Sequence, residues 1–238
     1  TGPGLSRANR RPQQNFEREM IGNMVDPKAI VFDLDGTLIH SAPDLQLAAN
    51  EALKSIGRAP LDLPTIISFI GNGAEILVKR TLNMTGGADS ALEQDVLRVF
   101  LEIYAKNMTT FTRPYPGVVA ALETFRAKGI SLGICTNKPT GPARVICEEL
   151  DLAQYFDVIV GAEPDQPKKP DPHSLLVCIK MLECRPQDAL YVGDSEIDFH
   201  SARNASVAFR LYSEGYLNEP LPTLDSTDQF HDWTKHGI

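Results

Sequence analysis

The stretch Ala29-Ile30-Val31-Phe32-Asp33-Leu34-Asp35-Gly36-Thr37-Leu38 decides the fold. Four apolar residues in a row, 29–32, read as a buried strand. Asp is depleted in strand interiors, so two of them where this strand ends ask for a reason. A two-residue period leans positions 33 and 35 toward one side, where both acids can face a single ligand. Gly36 can take the left-handed backbone that draws the chain tightly around that ligand. A plain strand followed by an Asp-Gly turn gives the same letters, so these residues need support from the rest of the chain.

Short apolar runs recur downstream at Ile130-Ser131-Leu132-Gly133-Ile134-Cys135, Val158-Ile159-Val160 and Ala189-Leu190-Tyr191-Val192, with Val207-Ala208-Phe209 as a weaker fifth. Helical spacing fills the intervals at roughly 117–128, 140–150, 172–183 and 196–205. Buried strands alternating with helices predict a parallel sheet covered on both faces.

The alternation stops between about 41 and 113, where no strong strand pattern occurs. Ser41-x-x-Asp44 has the form of a capping box, with Pro43 early in the helix it would start. Leu45, Ala48, Ala49, Ala52, Leu53 and Ile56 then keep helical spacing, and 74–82 and 92–108 read as helices too. An insertion of about seventy residues between the first and second strands of the sheet is too long for an ordinary loop. It springs from the carboxyl end of the first strand, the end at which open parallel sheets bind ligands. An insertion rooted there can act as a lid. The predicted class is α/β: a Rossmann-like parallel sheet core with helices on both faces plus an inserted helical cap. The predicted organisation is a flexible N-terminal arm at 1–27, a core at 28–40 and 114–238, and a cap at 41–113.

Composition narrows the partners. The chain has 238 residues, 42% of them apolar and 23% charged, enough to bury a core. Its 31 acidic against 23 basic residues give a net charge of −8, which argues against nucleic acid or an anionic membrane as the main partner. An acidic protein binds phosphate only with a local cation. Cys135, Cys147, Cys178 and Cys184 form no Cys-x-x-Cys pair and no zinc-like pattern with histidine, which reads as reduced thiols in a cytoplasmic protein. No apolar run is long enough to span a bilayer, and no signal-peptide core is present. Thr1-Gly2-Pro3-Gly4 and Arg10-Arg11-Pro12-Gln13-Gln14 are polar and rich in breakers. Their arginines admit an RNA or partner contact, but such runs are more often solvated tails.

A second acidic segment, Gly193-Asp194-Ser195-Glu196-Ile197-Asp198, again ends an apolar strand. Asp198 follows Asp194 by one helical turn. Capping of a helix by Asp194 or Ser195, with acids in the first turn, explains the same residues. Together, Asp33, Asp35, Asp194 and Asp198 would converge at one end of the sheet. Close carboxylates need a counter-charge, and hard oxygen ligands with few imidazoles nearby select Mg²⁺. At another strand end, Thr136 offers a hydroxyl and Asn137 a backbone amide. In Lys168-Lys169-Pro170-Asp171-Pro172, the prolines favour an extended Lys169 and a following helix. A lysine held there could reach a phosphate as a point charge. A strand-end Thr is usually structural, and Lys-Pro pairs usually lie in surface loops.

These four segments, in this order, resemble the motifs of the haloacid dehalogenase superfamily of phosphotransferases: Asp33-x-Asp35-Gly36-Thr37 the first, Thr136 the second, Lys169 the third, and Gly193-Asp194-x-x-x-Asp198 the fourth. The resemblance covers residues 28–215, and the insertion is similar to that superfamily's helical cap of the first type. Within it, Ser41-Ala42-Pro43-Asp44, Phe69-Ile70-Gly71-Asn72-Gly73-Ala74, Tyr115-Pro116-Gly117-Val118, Thr136-Asn137-Lys138-Pro139 and Glu214-Gly215-Tyr216 are similar to stretches of the bacterial phosphoglycolate phosphatases. His40 departs from the usual acid of that group, and Glu163-Pro164-Asp165-Gln166 from its usual Asp-Thr-type sequence.

The resemblance implies that Asp33 is the nucleophile and Asp35 the acid and base. It implies that Thr136, Asn137 and Lys169 stabilise charge on the transferring group. Mg²⁺ would be held by Asp33, by main chain in the Leu34–Asp35 region, by Asp194 and by Asp198. A dehalogenase needs no proton donor at position 35, so Asp35 argues for phosphate chemistry. Gly36, Gly71, Asn72 and Gly73 are candidate substrate contacts, although Gly-Asn-Gly is equally a plain helix–helix turn. Lys79 or Arg80 could pair with a substrate carboxylate, or line a solvated face. His40 could titrate near the site or pack at a cap hinge. The implied reaction is hydrolysis of a small phosphate ester, 2-phosphoglycolate foremost, by a monomer or homodimer. Hydrolysis of a sugar phosphate or nucleotide, a phosphomutase, and a non-catalytic phospho-aspartate receiver are the alternatives.

Overall fold

The computed structural model describes residues 27–218, 221, 224 and 228–235; the arm predicted at 1–27 lies outside them, Pro27 excepted. The chain enters at Ala29–Phe32 (β1) and turns through Asp33 to Leu38 into Ile39–His40 (β2). Helices Ala42–Ser55 (α1), Leu63–Ile67 (α2), Ala74–Met84 (α3) and Ser90–Asn107 (α4) follow, and Arg113–Pro114 (β3) brings the chain back. Strand and helix then alternate: Val118–Ala127 (α5), Ser131–Pro139 (β4), Thr140–Glu149 (α6), Val158–Ala162 (β5), His173–Met181 (α7), Ala189–Gly193 (β6), Glu196–Ala205 (α8), Ala208–Tyr212 (β7) and Gln229–Phe230 (β8).

Six strands form one sheet in the order β5-β4-β1-β6-β7-β8, every pairing parallel. β1 is uniformly apolar because it lies between two strands and under two helical layers. Its alternate side chains feed separate cores. Ile30 and Phe32 pack with Val118, Leu122, Phe125 and Ile146 of α5 and α6. Ala29 and Val31 pack with Leu175, Cys178 and Ala202 of α7 and α8. Phe32 is fully buried among the rings of Phe125, Phe156 and Trp233, 6.0–6.3 Å away; cutting such a side chain to Ala costs roughly 3–5 kcal/mol. The fold is α/β and Rossmann-like.

The four-helix insertion has its own apolar core, in which Leu45, Leu53, Leu77, Leu82, Phe100 and Tyr104 meet. It is rooted on the antiparallel β2–β3 ribbon, where Ile39 opposes Pro114 and His40 opposes Arg113. The capping box expected at Ser41 and Asp44 is not formed. Ser41 has helical rather than extended backbone (φ −98°, ψ −9°) and caps nothing with its side chain. Fully buried Asp44 instead accepts from the amides of Phe111 and Thr112 and from the Thr112 hydroxyl, which ties α1 to the returning strand.

The β2–β3 ribbon, α2 and β8 have no counterpart in the sequence pattern, because elements of two to five residues show no period. β4 runs on past Cys135 to Pro139, with a shift of register between those two residues. Thr136 to Lys138 thus occupy an irregular extension of the strand and do not simply follow its end.

Candidate active site

Parallel pairing brings distant residues together. Phe32 is in register with Val192, and the Asp33 amide donates to the Val192 carbonyl at 2.8 Å. Asp33 and Asp194, just beyond them, meet at the carboxyl edge of the sheet. Asp198 comes from the first turn of α8, and Lys169 from the loop between β5 and α7. Carboxylate oxygens of Asp33, Asp194 and Asp198 all lie within 4.8 Å of one another, and all three residues are buried.

Lys169 sits among them. Its three N–H donors are shared among four acceptors: Asp33 Oδ1 (2.8 Å), Asp198 Oδ1 (2.6 Å), the Tyr191 hydroxyl (2.7 Å) and the Cys135 carbonyl (3.1 Å). Burial alone would lower its pKa, but Asp198 and Asp33 outweigh burial and hold it above the ordinary lysine value. Burial also pushes the Asp33 carboxyl up to about 7, with Lys169 opposing and Asp198 reinforcing the rise. Asp194 is raised well above the ordinary value by burial and then by Asp198 and Asp33, while Thr37 and Tyr216 partly offset them. Three clustered carboxylates, two of them paired with the one ammonium, form a set of hard oxygen donors that fits a divalent cation.

The ends of these side chains are fixed from several directions. Asp198 forms a capping box with Ser195: Oδ2 accepts from the Ser195 hydroxyl (2.6 Å) and amide (3.2 Å), and Ser195 Oγ accepts the Asp198 amide (3.3 Å). The box takes Oδ2 and leaves Oδ1 to Lys169, so Asp198 starts the helix and joins the cluster at once. Asp194 accepts from the Thr37 hydroxyl (2.6 Å) and the Tyr216 amide (2.6 Å). Gly36, at φ +93°, lies so close that a Cβ there would meet Asp194 Oδ2 at 2.3 Å; its smallness serves Asp194.

Asp35 stands apart from the three-acid group. Its Oδ2 is 3.1 Å from the Lys138 ammonium, and its Oδ1 accepts from the Ser41 hydroxyl at 2.5 Å. Asp33, Asp35, Thr136, Asn137 and Lys138 form the sheet side of a cavity of about 90 Å³. Gly71, Gly73, Leu77, Phe100 and Tyr104 of the insertion close it from above. Thr136 Oγ1 accepts the Lys138 amide at 3.2 Å, which leaves its hydroxyl proton for an acceptor in the cavity. The Asn137 side chain holds the Lys169 backbone (2.9 and 3.1 Å) and donates to the Gly71 carbonyl at 2.9 Å. Gly71 and Gly73 have φ of +112° and +88°, so the Gly-Asn-Gly turn both joins helices and approaches the site.

Of the candidate contacts, Gly36 and Asn72 do not line the cavity, nor do Lys79, which is exposed, and Arg80, which donates to the Phe69 carbonyl. His40 packs in the ribbon between Tyr115 and Tyr216. The Tyr216 hydroxyl accepts the amides of Ser41 and Ala42, which leaves its own proton for His40 Nδ1 at 3.0 Å. Burial lowers the His40 pKa. Thr37, Tyr104, Lys138, Tyr191 and Tyr216 join the site without any expectation from the sequence. Lys138 and Tyr216 stood inside motif stretches; Tyr104 and Tyr191 looked like any aromatic at a core position.

Comparison with known proteins agrees with this geometry. Residues 30–211 match the model of the haloacid dehalogenase-like hydrolases. A phosphoglycolate phosphatase of Cereibacter sphaeroides is 41% identical over 210 residues, covering 88% of this chain and 91% of the relative. One from Rhodospirillum rubrum is 40% identical over 216 residues, covering 89% and 90%. The crystal structure of a predicted phosphoglycolate phosphatase from Haemophilus somnus superposes with a TM-score of 0.83 at 30% identity, covering 90% of this chain and 97% of that one. With the family match running from the first strand through the insertion to the acid cluster and β7, the chain belongs to the haloacid dehalogenase-like hydrolases.

Proposed function

We propose that the chain is a Mg²⁺-dependent phosphomonoester hydrolase that works through an aspartyl-phosphate on Asp33, with 2-phosphoglycolate as its substrate. The observation that carries this reading is the buried cluster of Asp33, Asp194, Asp198 and Lys169, of which Asp33 faces a cavity that Asp35 and Thr136 also line. The relatives' names supply the substrate, and the small, largely apolar cavity favours a short ester over a nucleotide.

Asp33 attacks phosphorus in line, and the bond to the leaving oxygen breaks as Asp35 delivers its proton there. Asp35 then takes a proton from the water that hydrolyses the acyl phosphate, which regenerates Asp33. Thr136, the Asn137 amide and Lys169 stabilise negative charge on the transferring group. Asp33, Asp194, Asp198 and main chain in the Leu34–Asp35 region would hold Mg²⁺, which when bound supplies Lewis-acid stabilisation of the phosphoryl oxygens. Asp35 and the long insertion speak against a passive phospho-aspartate receiver. The cytoplasm is the proposed compartment, in keeping with four free cysteines; no described helix is long and apolar enough to cross a membrane.

The test is phosphate release from a panel of small phosphate esters with and without Mg²⁺. Phosphoglycolate is expected to lead and to require the metal. Preference for a sugar phosphate or nucleotide would move the substrate within the same chemistry. Isomer formation without phosphate release would replace hydrolase by mutase, and stable phosphorylation without turnover would indicate a receiver.

A further inference from the structure

Among the residues that line the cavity, Lys138 alone carries a positive charge. Its side chain is 6% exposed. The ammonium is 3.1 Å from Asp35 Oδ2 and 2.9 Å from the Tyr104 hydroxyl, and it stands 4.8 Å from the centre of the Tyr104 ring. Two of its three N–H donors are thereby used, and no third partner stands among the described residues. Lys169 is different: its contacts lie within the acid cluster, and it does not line the cavity.

We propose that Lys138, with the Tyr104 hydroxyl, binds the substrate's carboxylate, and so selects phosphate esters of 2-hydroxy acids over uncharged esters of the same size. The inference rests on the phosphatase reading above and adds which end of the substrate is recognised, and by what. Asp35 links the two ends: it serves the leaving oxygen, and its Oδ2 touches Lys138. In the phosphate ester of a 2-hydroxy acid, the carboxylate carbon is two bonds from that leaving oxygen. A substrate seated for proton transfer from Asp35 therefore presents its carboxylate beside the ammonium's free donor. Leu77 and Phe100 wall the same cavity, so the charges meet with little water to screen them. Lys138 belongs to β4 and Tyr104 to α4, so the carboxylate would be gripped from the sheet and the insertion together. An uncharged ester leaves this grip without an anion.

The experiment compares kcat/KM for 2-phosphoglycolate and ethyl phosphate, which share the leaving chain but not the carboxylate, in the full chain with Mg²⁺. For Lys138→Met the ratio of the two values should fall about 10- to 100-fold, the worth of a charge-assisted hydrogen bond, mainly through KM for phosphoglycolate. Lys138→Arg should restore part of the ratio. Loss of both activities by one common factor would overturn the proposal, because Lys138 would then act only through Asp35. If Lys138→Met does not fold, as judged by circular dichroism, Tyr104→Phe carries the test: its ratio should fall several-fold, and an unchanged ratio overturns the proposal. A parent protein that hydrolyses both esters equally rejects the carboxylate site and leaves the phosphatase standing; one that hydrolyses neither rejects both.

Discussion

Two buried lysines stand at the same end of the sheet, each paired with an aspartate of the first motif, and their surroundings differ. Lys169 reaches Asp33, Asp198, Tyr191 and a backbone carbonyl and is enclosed on all sides. Lys138 reaches Asp35 and then crosses to Tyr104 of the helical insertion, at the wall of a cavity. A lysine with its donors used in a dry cluster holds the acids in place and offsets the charge they carry, including the charge that gathers where Asp33 takes up a group. A lysine with a donor to spare, bridging two layers, can answer to whatever enters between them.

Removing each ammonium should break this contrast most visibly. Lys169→Met leaves Asp33 and Asp198 uncompensated, so turnover should collapse and unfolding stability at neutral pH should drop by about 3–5 kcal/mol. Lys138→Met should cost less stability, because Asp35 keeps the Ser41 hydrogen bond and borders the cavity. Denaturant unfolding of both variants measures this; equal losses would erase the distinction.

A pH prediction sharpens the Lys169 side. Asp33 rises from an ordinary 3.8 to about 7 in the fold. Between those values the metal-free folded protein keeps a proton that the unfolded chain has released. The proton favours the fold, so this contribution is intact below the window and is lost as pH rises from about 4 to 7. Mg²⁺ must displace that proton, so it should stabilise the protein more at pH 8 than at pH 5. Melting curves with and without Mg²⁺, for the parent and for Asp33→Asn, isolate the effect. A metal stabilisation independent of pH in both would contradict it.

The smallest effect belongs to the ribbon beneath the insertion. His40 packs on two tyrosines and accepts from Tyr216, outside both lysine clusters. His40→Ala should cost on the order of 1 kcal/mol for the lost hydrogen bond and leave kcat within a few-fold. A loss of turnover comparable to that of Lys169→Met would put His40 in the chemistry.

What the sequence showed and what it hid follow from range. β1 and its acids were legible because burial on both faces demands an unbroken apolar run, and two carboxylates after it have few structural uses. The same logic gave β6, Asp194 and Asp198, although no pattern says that Asp198 divides its oxygens between a helix cap and Lys169. Ser41 and Asp44 misled because a capping box is a matter of backbone angles as well as letters. Asp44 is claimed by Phe111 and Thr112, far along the chain. Tyr104 and Tyr191 were invisible for the opposite reason: each occupies an apolar position, and only the fold shows that its hydroxyl meets a lysine.

Catalysis by this site requires Asp33 to carry the phosphoryl group. Acid quenching during turnover of phosphoglycolate with Mg²⁺, followed by peptide mass spectrometry, tests this directly. The expected result is a phosphoryl group on the peptide containing Asp33, and neither that adduct nor turnover above background in folded Asp33→Asn. Full-rate phosphate release by Asp33→Asn, or turnover by the parent with the phosphoryl group on a different residue, would contradict it.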